Sequence, residues 1–213
     1  MIAPERTVFW DVDTQFDFMM PEGKLYVPGS EEIIPVLKAL TGHAHERGIR
    51  IVASADDHVP GHRELSDDPD FLTTFPDHCM RGTPGQEKIP ATALSNPLVI
   101  DPAPRDDPAF LDTVRNHKGD FLFLKHWFDV FTNPNVLPVV DTLDPLHVVL
   151  YGVATDVCDR YAIEGLLRHR PHLVLFFVWD AARGIDGDTS DRLREEWQAQ
   201  GVNMVTAKEV LAQ

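Results

Sequence analysis

The run LVLFFV at 173–178 has no polar side. A strand with one face in water alternates apolar and polar residues, so a strand like this must be covered on both faces. Comparable runs recur at 7–12 (TVFWDV), 49–55 (IRIVASA), 121–124 (FLFL) and 147–153 (HVVLYGV), with shorter ones at 98–100 and 202–205. Between them apolar residues return at helical spacing, as in Ile33, Ile34, Leu37, Leu40 and Ala44, and helices are expected over 136–143, 156–168, 189–200 and 207–211. Buried strands alternating with helices predict α/β architecture: a three-layer α-β-α sandwich around a mostly parallel sheet of five to six strands. With 213 residues and 43% hydrophobic composition, one domain over 1–213 has enough apolar material for its core.

Local signals punctuate this pattern. Ser30 followed by Glu31 and Glu32 reads as a helix start, and Gly48 as its stop. Residues 102–108 read as a linker turn. The stretch 57–96 has little periodicity and many Pro, Gly, Asp and His residues. Loops that long inside a compact domain carry function or are disordered, and the polar chemistry here favours function.

Several classes are disfavoured. The formal net charge is −15, and no Lys/Arg cluster offers a nucleic acid a basic stripe. No apolar run nears the ~20 residues of a membrane span. Residues 1–13 lack the basic-then-apolar pattern of an export signal, so a cytoplasmic location is expected. Cys79 and Cys158 are then expected to be free thiols.

In open α/β sheets ligands bind beyond the carboxyl ends of the strands. The residues at those ends are Asp13, Asp56, Lys125, the turn leading to Cys158, and Asp180. From the residues alone Cys158 is either a small buried apolar residue or a nucleophile. Lys125 and Asp13 favour the second: a cation and a helix N-terminus lower a thiol pKa, and a carboxylate takes and returns the proton of acyl transfer. In the loop, Asp56-x-His58, His62 and His78 form a mixed oxygen and imidazole set that suits Zn²⁺, Mn²⁺ or Fe²⁺, or else are solvated loop side chains. Cys79 beside His78 is read as an apolar filler rather than a soft ligand.

Five segments, in order, resemble the cysteine-hydrolase superfamily of nicotinamidases and isochorismatase-like hydrolases: DVDTQFDFMMPEGKLYVPGSEEI (11–33), SADDHVPGH (54–62), FPDHCMRGTPGQE (75–87), FLFLKHWFDVF (121–131) and YGVATDVCDRYAIEGLL (151–167). The resemblance implies a catalytic triad of Asp13, Lys125 and Cys158. It implies a divalent metal, Zn²⁺ first and Mn²⁺ or Fe²⁺ next, held by Asp56, His58 and His78 with His62 as a further ligand. It also implies a cis peptide at Val153–Ala154, an oxyanion hole from the N–H groups of Ala154 and Cys158, and substrate binding by Phe18 and Phe75, aromatics that sandwich a flat ring, with Gln15 beside the pocket. The implied activity is hydrolysis of a small carboxamide such as nicotinamide through a thioester. The alternatives are isochorismatase-like or N-carbamoyl hydrolysis on the same scaffold, or a non-catalytic binding protein. The chain departs from the pattern at Asp57, where the family often has Trp, at Val59 for Pro, and at Phe75 for Trp. The expected partners are the small carboxamide and further copies of the chain in a homo-oligomer.

Overall fold

All seven apolar runs become strands of one parallel sheet in the computed structural model, which describes residues 4–105 and 107–213. Residues 1–3, the start of the N-terminal segment read above, and Asp106, within the stretch read as a linker turn, lie outside them. The strands β1 (Thr7–Val12), β2 (Arg50–Asp56), β3 (Leu98–Ile100), β4 (Phe121–Lys125), β5 (His147–Val153), β6 (Val174–Arg183) and β7 (Asn203–Val205) lie in the order β3-β4-β2-β1-β5-β6-β7. Every pairing is parallel. The sheet therefore exceeds the expected five to six strands. The short runs β3 and β7 both join it as edges, where one neighbour suffices and a three-residue ladder is enough.

The helices are α1 (Phe16–Met19), α2 (Ile34–Glu46), α3 (Pro108–Asn116), α4 (Val136–Leu143), α5 (Arg160–His169), α6 (Gly187–Ala199) and α7 (Ala207–Leu211). They form two layers because successive strand residues point to opposite faces. In β1, Val8, Trp10 and Val12 enter a core with Val114 of α3, Val139 of α4, Ile163 of α5 and Trp197 of α6. Phe9, between them, enters the other core with Leu37 and Leu40 of α2 and Val210 of α7. Among the described residues no helix is long and apolar enough to cross a membrane.

Two helix boundaries differ from expectation. Ser30 does not cap a helix with its side chain; its hydroxyl donates to the Phe18 carbonyl at 2.9 Å, and a 3₁₀ turn precedes α2. Helix α3 replaces the end of the supposed linker turn. Asp107 caps it by accepting from the Phe110 N–H at 2.9 Å, and Pro108 sits in the first turn, where its missing N–H costs nothing. Gly48 does end α2, at φ +65°.

The chain enters at β1, builds β2, β3 and β4 on one side, and returns to β5 on the other. This reversal between β1 and β5 opens a crevice at their carboxyl ends. Gly152 makes the approach possible: at φ +135° a Cβ would lie 2.1 Å from the Val12 carbonyl oxygen. Gly152→Ala combines backbone strain with overpacking against main chain, and about 3 kcal/mol of stability should be lost. Urea unfolding measures it; an unchanged midpoint would contradict this account of the β1–β5 seam.

Contacts distant in sequence hold the long loop over the crevice. Asp17, just after β1, accepts from the Cys79 N–H at 2.7 Å and the Lys24 N–H at 3.1 Å. Short β-bridges join His58 to Met80 and Leu65 to Phe75.

Candidate active site

The ends of β4, β2, β1 and β5, four adjacent strands, bring Lys125, Asp56, Asp13 and the Cys158 turn together. Asp13 follows β1 in the left-handed region at φ +49°, a conformation Asp tolerates better than bulkier residues. The fully buried Lys125 ammonium lies 2.9 Å from Asp13 Oδ2, forms a shorter ion pair with Asp56 Oδ1, and reaches to 3.7 Å from Cys158 Sγ. Ser54 donates to Asp13 Oδ1 at 2.6 Å. The signal for Ser54 in the sequence is its place two residues before Asp56, on the same face of β2.

Burial alone would strip the charge from Lys125, but the carboxylates of Asp13 and Asp56 raise its pKa well above the ordinary lysine range. The thiol does not follow expectation. Burial pushes the Cys158 pKa up, and although Lys125 opposes this, the negative charges of Asp13 and Asp56 add to the rise. One cation is shared between two carboxylates and the thiol, so these surroundings favour the protonated sulfur over the thiolate, and Asp13 is the base placed to receive its proton.

The Val153–Ala154 peptide is cis, as the resemblance implied. Beyond it Thr155–Asp159 form a wide π-helical turn in which the N–H groups of Val157 and Asp159 both donate to the Ala154 carbonyl at 3.0 Å. Helix α5 proper begins at Arg160, a few residues later than the periodicity suggests.

A second cluster lies beside the triad. Ligand atoms of Asp56, His58, Glu64 and His78, all buried, fall within 4.8 Å of one another. His78 Nε2 is 3.4 Å from Glu64 Oε1 and 3.6 Å from Asp56 Oδ2; His58 Nε2 is 4.0 Å and 3.9 Å from the same two atoms. These gaps exceed good hydrogen bonds, and both Nε2 atoms and Glu64 Oε2 lack hydrogen-bond partners. They suit a cation with bonds of about 2.0–2.2 Å, whose tetrahedral ligands stand roughly 3.3–3.6 Å apart. Two carboxylates and two imidazoles fit Zn²⁺, Mn²⁺ or Fe²⁺. Burial, aided by His78 and Lys125, holds His58 down to about 3, which keeps its ring neutral as a ligand must be. At His78 burial acts downward too, but Asp56 and Glu64 prevail and push it up to about 10, so a proton sits where a divalent ion would bind.

Glu64 was not anticipated, and His62 lies outside this group. Among the acids of the loop nothing in the sequence marks Glu64. The Leu65–Phe75 bridge, with Phe75 N–H donating to the Glu64 carbonyl at 2.7 Å, turns its side chain inward. Cys79 is buried, outside the cluster, and free, as is Cys158.

A pocket of about 370 Å³ opens onto both clusters. Phe18 and Phe75 both line it and pack on His78, with ring centroids 5.5 Å and 6.2 Å from its imidazole. Ala154 and Cys158 line the floor, and no Lys or Arg is among the lining residues. Gln15, expected beside the pocket as a substrate-binding residue, is not among its lining residues. Its amide is consumed by the end of β2: Oε1 accepts from the Asp56 N–H at 2.7 Å, and Nε2 donates to the Asp56 carbonyl at 2.8 Å and the Gln86 carbonyl at 2.7 Å.

The family model described as the isochorismatase domain matches residues 8–206. Nicotinamidase/pyrazinamidase of Mycobacterium tuberculosis (strain ATCC 25618 / H37Rv) is 27% identical over 199 residues, covering 91% of this chain and 95% of the relative. Among solved structures, pyrazinamidase of Pyrococcus horikoshii in complex with zinc superposes with a TM-score of 0.73 at 24% identity, covering 94% of this chain and 99% of that one. N-carbamoylsarcosine amidase from Thermoplasma acidophilum gives 0.68 at 20% identity, over 95% and 96%.

Proposed function

The chain belongs to the isochorismatase family, and from that premise we propose that it hydrolyses the amide of a small uncharged carboxamide, nicotinamide or a close relative, through a thioester on Cys158. The observation that carries this reading is that Cys158, which lines a pocket with Phe18 and Phe75, is backed by the buried Lys125–Asp13 ion pair. As Cys158 Sγ attacks the carbonyl carbon, its proton passes to Asp13, and the oxygen gains charge against the N–H groups of Ala154 and Cys158. Asp13 then gives that proton to the nitrogen as the C–N bond breaks, and ammonia leaves. Water adds to the thioester with Asp13 as base, releasing the acid and restoring the thiol. Lys125 stays charged throughout and holds the Asp13 carboxyl group in place between steps.

Asp56, His58, Glu64 and His78 are assigned to hold a divalent ion, Zn²⁺ foremost. When bound, such an ion supplies a Lewis acid that orients a substrate nitrogen or a water. Phe18 and Phe75 are assigned to clasp a flat ring.

The walls weigh against isochorismate and N-carbamoyl acids, which carry carboxylates. No Lys or Arg lines the pocket away from the metal end to pair with such a charge, and a buried unpaired charge is costly. Turnover should therefore be fastest with nicotinamide and pyrazinamide in a panel that also holds N-carbamoyl amino acids and isochorismate, read as ammonia for the nitrogen compounds and as pyruvate for isochorismate. Turnover confined to the charged substrates would overturn the assignment.

A further inference from the structure

His62 stands four residues after His58 and outside the metal cluster, yet its Nδ1 is 3.2 Å from His58 Nδ1. His58 faces the cluster through Nε2, so as a ligand it carries its proton on Nδ1. The group that meets this N–H must accept. The Val59 N–H also points at His62 Nδ1, at 3.4 Å. Two donors therefore converge on one imidazole nitrogen, which holds the lone pair, and the His62 proton lies on Nε2. The other imidazole of the cluster is tied in the same manner, His78 Nδ1 to the Pro76 carbonyl at 2.7 Å.

His62 is itself held from behind. Its ring lies against His126, with centroids 4.3 Å apart and planes 35° from parallel. His126 Nε2 is 3.7 Å from Asp57 Oδ2, and Asp57 is fixed by Arg81 Nε at 2.8 Å and Gln86 Nε2 at 2.6 Å. Asp57, one of the departures noted in the sequence, thus anchors a layer of polar side chains behind the cluster.

We infer that His62 is a positioning residue of the metal centre: it fixes the tautomer and ring angle of His58, and His126, Asp57 and Arg81 hold it in place. This rests on the reading of Asp56, His58, Glu64 and His78 as a metal site. Outer partners of a ligating histidine are worth about 10–100-fold in metal affinity.

The test is Zn²⁺ affinity, measured by competition with a chromophoric chelator on metal-stripped protein, for the unaltered chain, His62→Phe and His62→Asn. His62→Phe should bind about 10–100-fold more weakly. His62→Asn, whose side-chain oxygen can accept near the Nδ1 position, should recover most of the loss and guards against a general folding defect in the Phe variant. In Co²⁺-loaded protein at saturation, His62→Asn should keep the visible absorption spectrum of the unaltered chain, because no ligand has been removed. Equal Zn²⁺ affinity in His62→Phe overturns the inference while leaving the metal site standing, and a changed Co²⁺ spectrum overturns it by making His62 a ligand. Failure of the unaltered chain to bind Zn²⁺ overturns both the metal reading and this one.

Discussion

Cys158→Ala is expected to lower carboxamide hydrolysis by about four orders of magnitude or more, the scale of losing a nucleophile that works with a positioned base. The side chain is 8% exposed and the change removes one sulfur atom, so the fold should survive, as circular dichroism would show. Asp13→Asn should cost nearly as much, because the resting thiol needs a proton acceptor at the moment of attack. The two losses should not add, since both groups serve one step. Steady-state ammonia release from nicotinamide is the measurement. A Cys158→Ala protein within tenfold of the parent would remove the thioester route.

Lys125→Met should be the most damaging single change to stability. It leaves Asp13 and Asp56 buried side by side without their cation, and removing one partner of a buried pair costs about 3–5 kcal/mol. Against a total of roughly 5–15 kcal/mol for a domain, that is a large fraction. Because a divalent ion would also neutralise Asp56, urea unfolding should be run in chelator, where the full loss appears. Adding Asp13→Asn to Lys125→Met should restore part of the stability and none of the activity. A loss below about 1 kcal/mol for the single variant would mean that solvent reaches the pair.

Much of the architecture was readable because it depends on local pattern. The wholly apolar runs at 121–124 and 173–178 require cover on both faces, and parallel pairing follows from the helices between them. The miss at α3 had a readable cause, since Asp107-Pro108 is a capping residue before a first-turn proline, and a Pro-rich context obscured it. Ser30 departs from the helix-start pattern because its hydroxyl donates to the Phe18 carbonyl, a partner no helix-start rule contains. The site divides in the same way. Asp13, Asp56, Lys125 and Cys158 stand at strand ends, and parallel strands place their carboxyl ends on one edge. Glu64 and Gln15 lie where only distant contacts decide which way a side chain turns, and His62 is set by His126 as well as by His58 four residues before it.

Periodicity and strand-end chemistry thus sufficed for the sheet, its two helical layers and the residues gathered at its edge, because each rests on neighbours within a few positions. What those residues become was settled by packing. The Leu65–Phe75 bridge buries Glu64 beside two imidazoles, and Gln15 is spent on the end of β2. Lys125, expected to activate the thiol, divides its charge between two carboxylates, so the Cys158 pKa is pushed up rather than down. Desolvation and charge pairing belong to the whole surroundings of a group, and those surroundings exist only once β4, β2, β1 and β5 lie side by side.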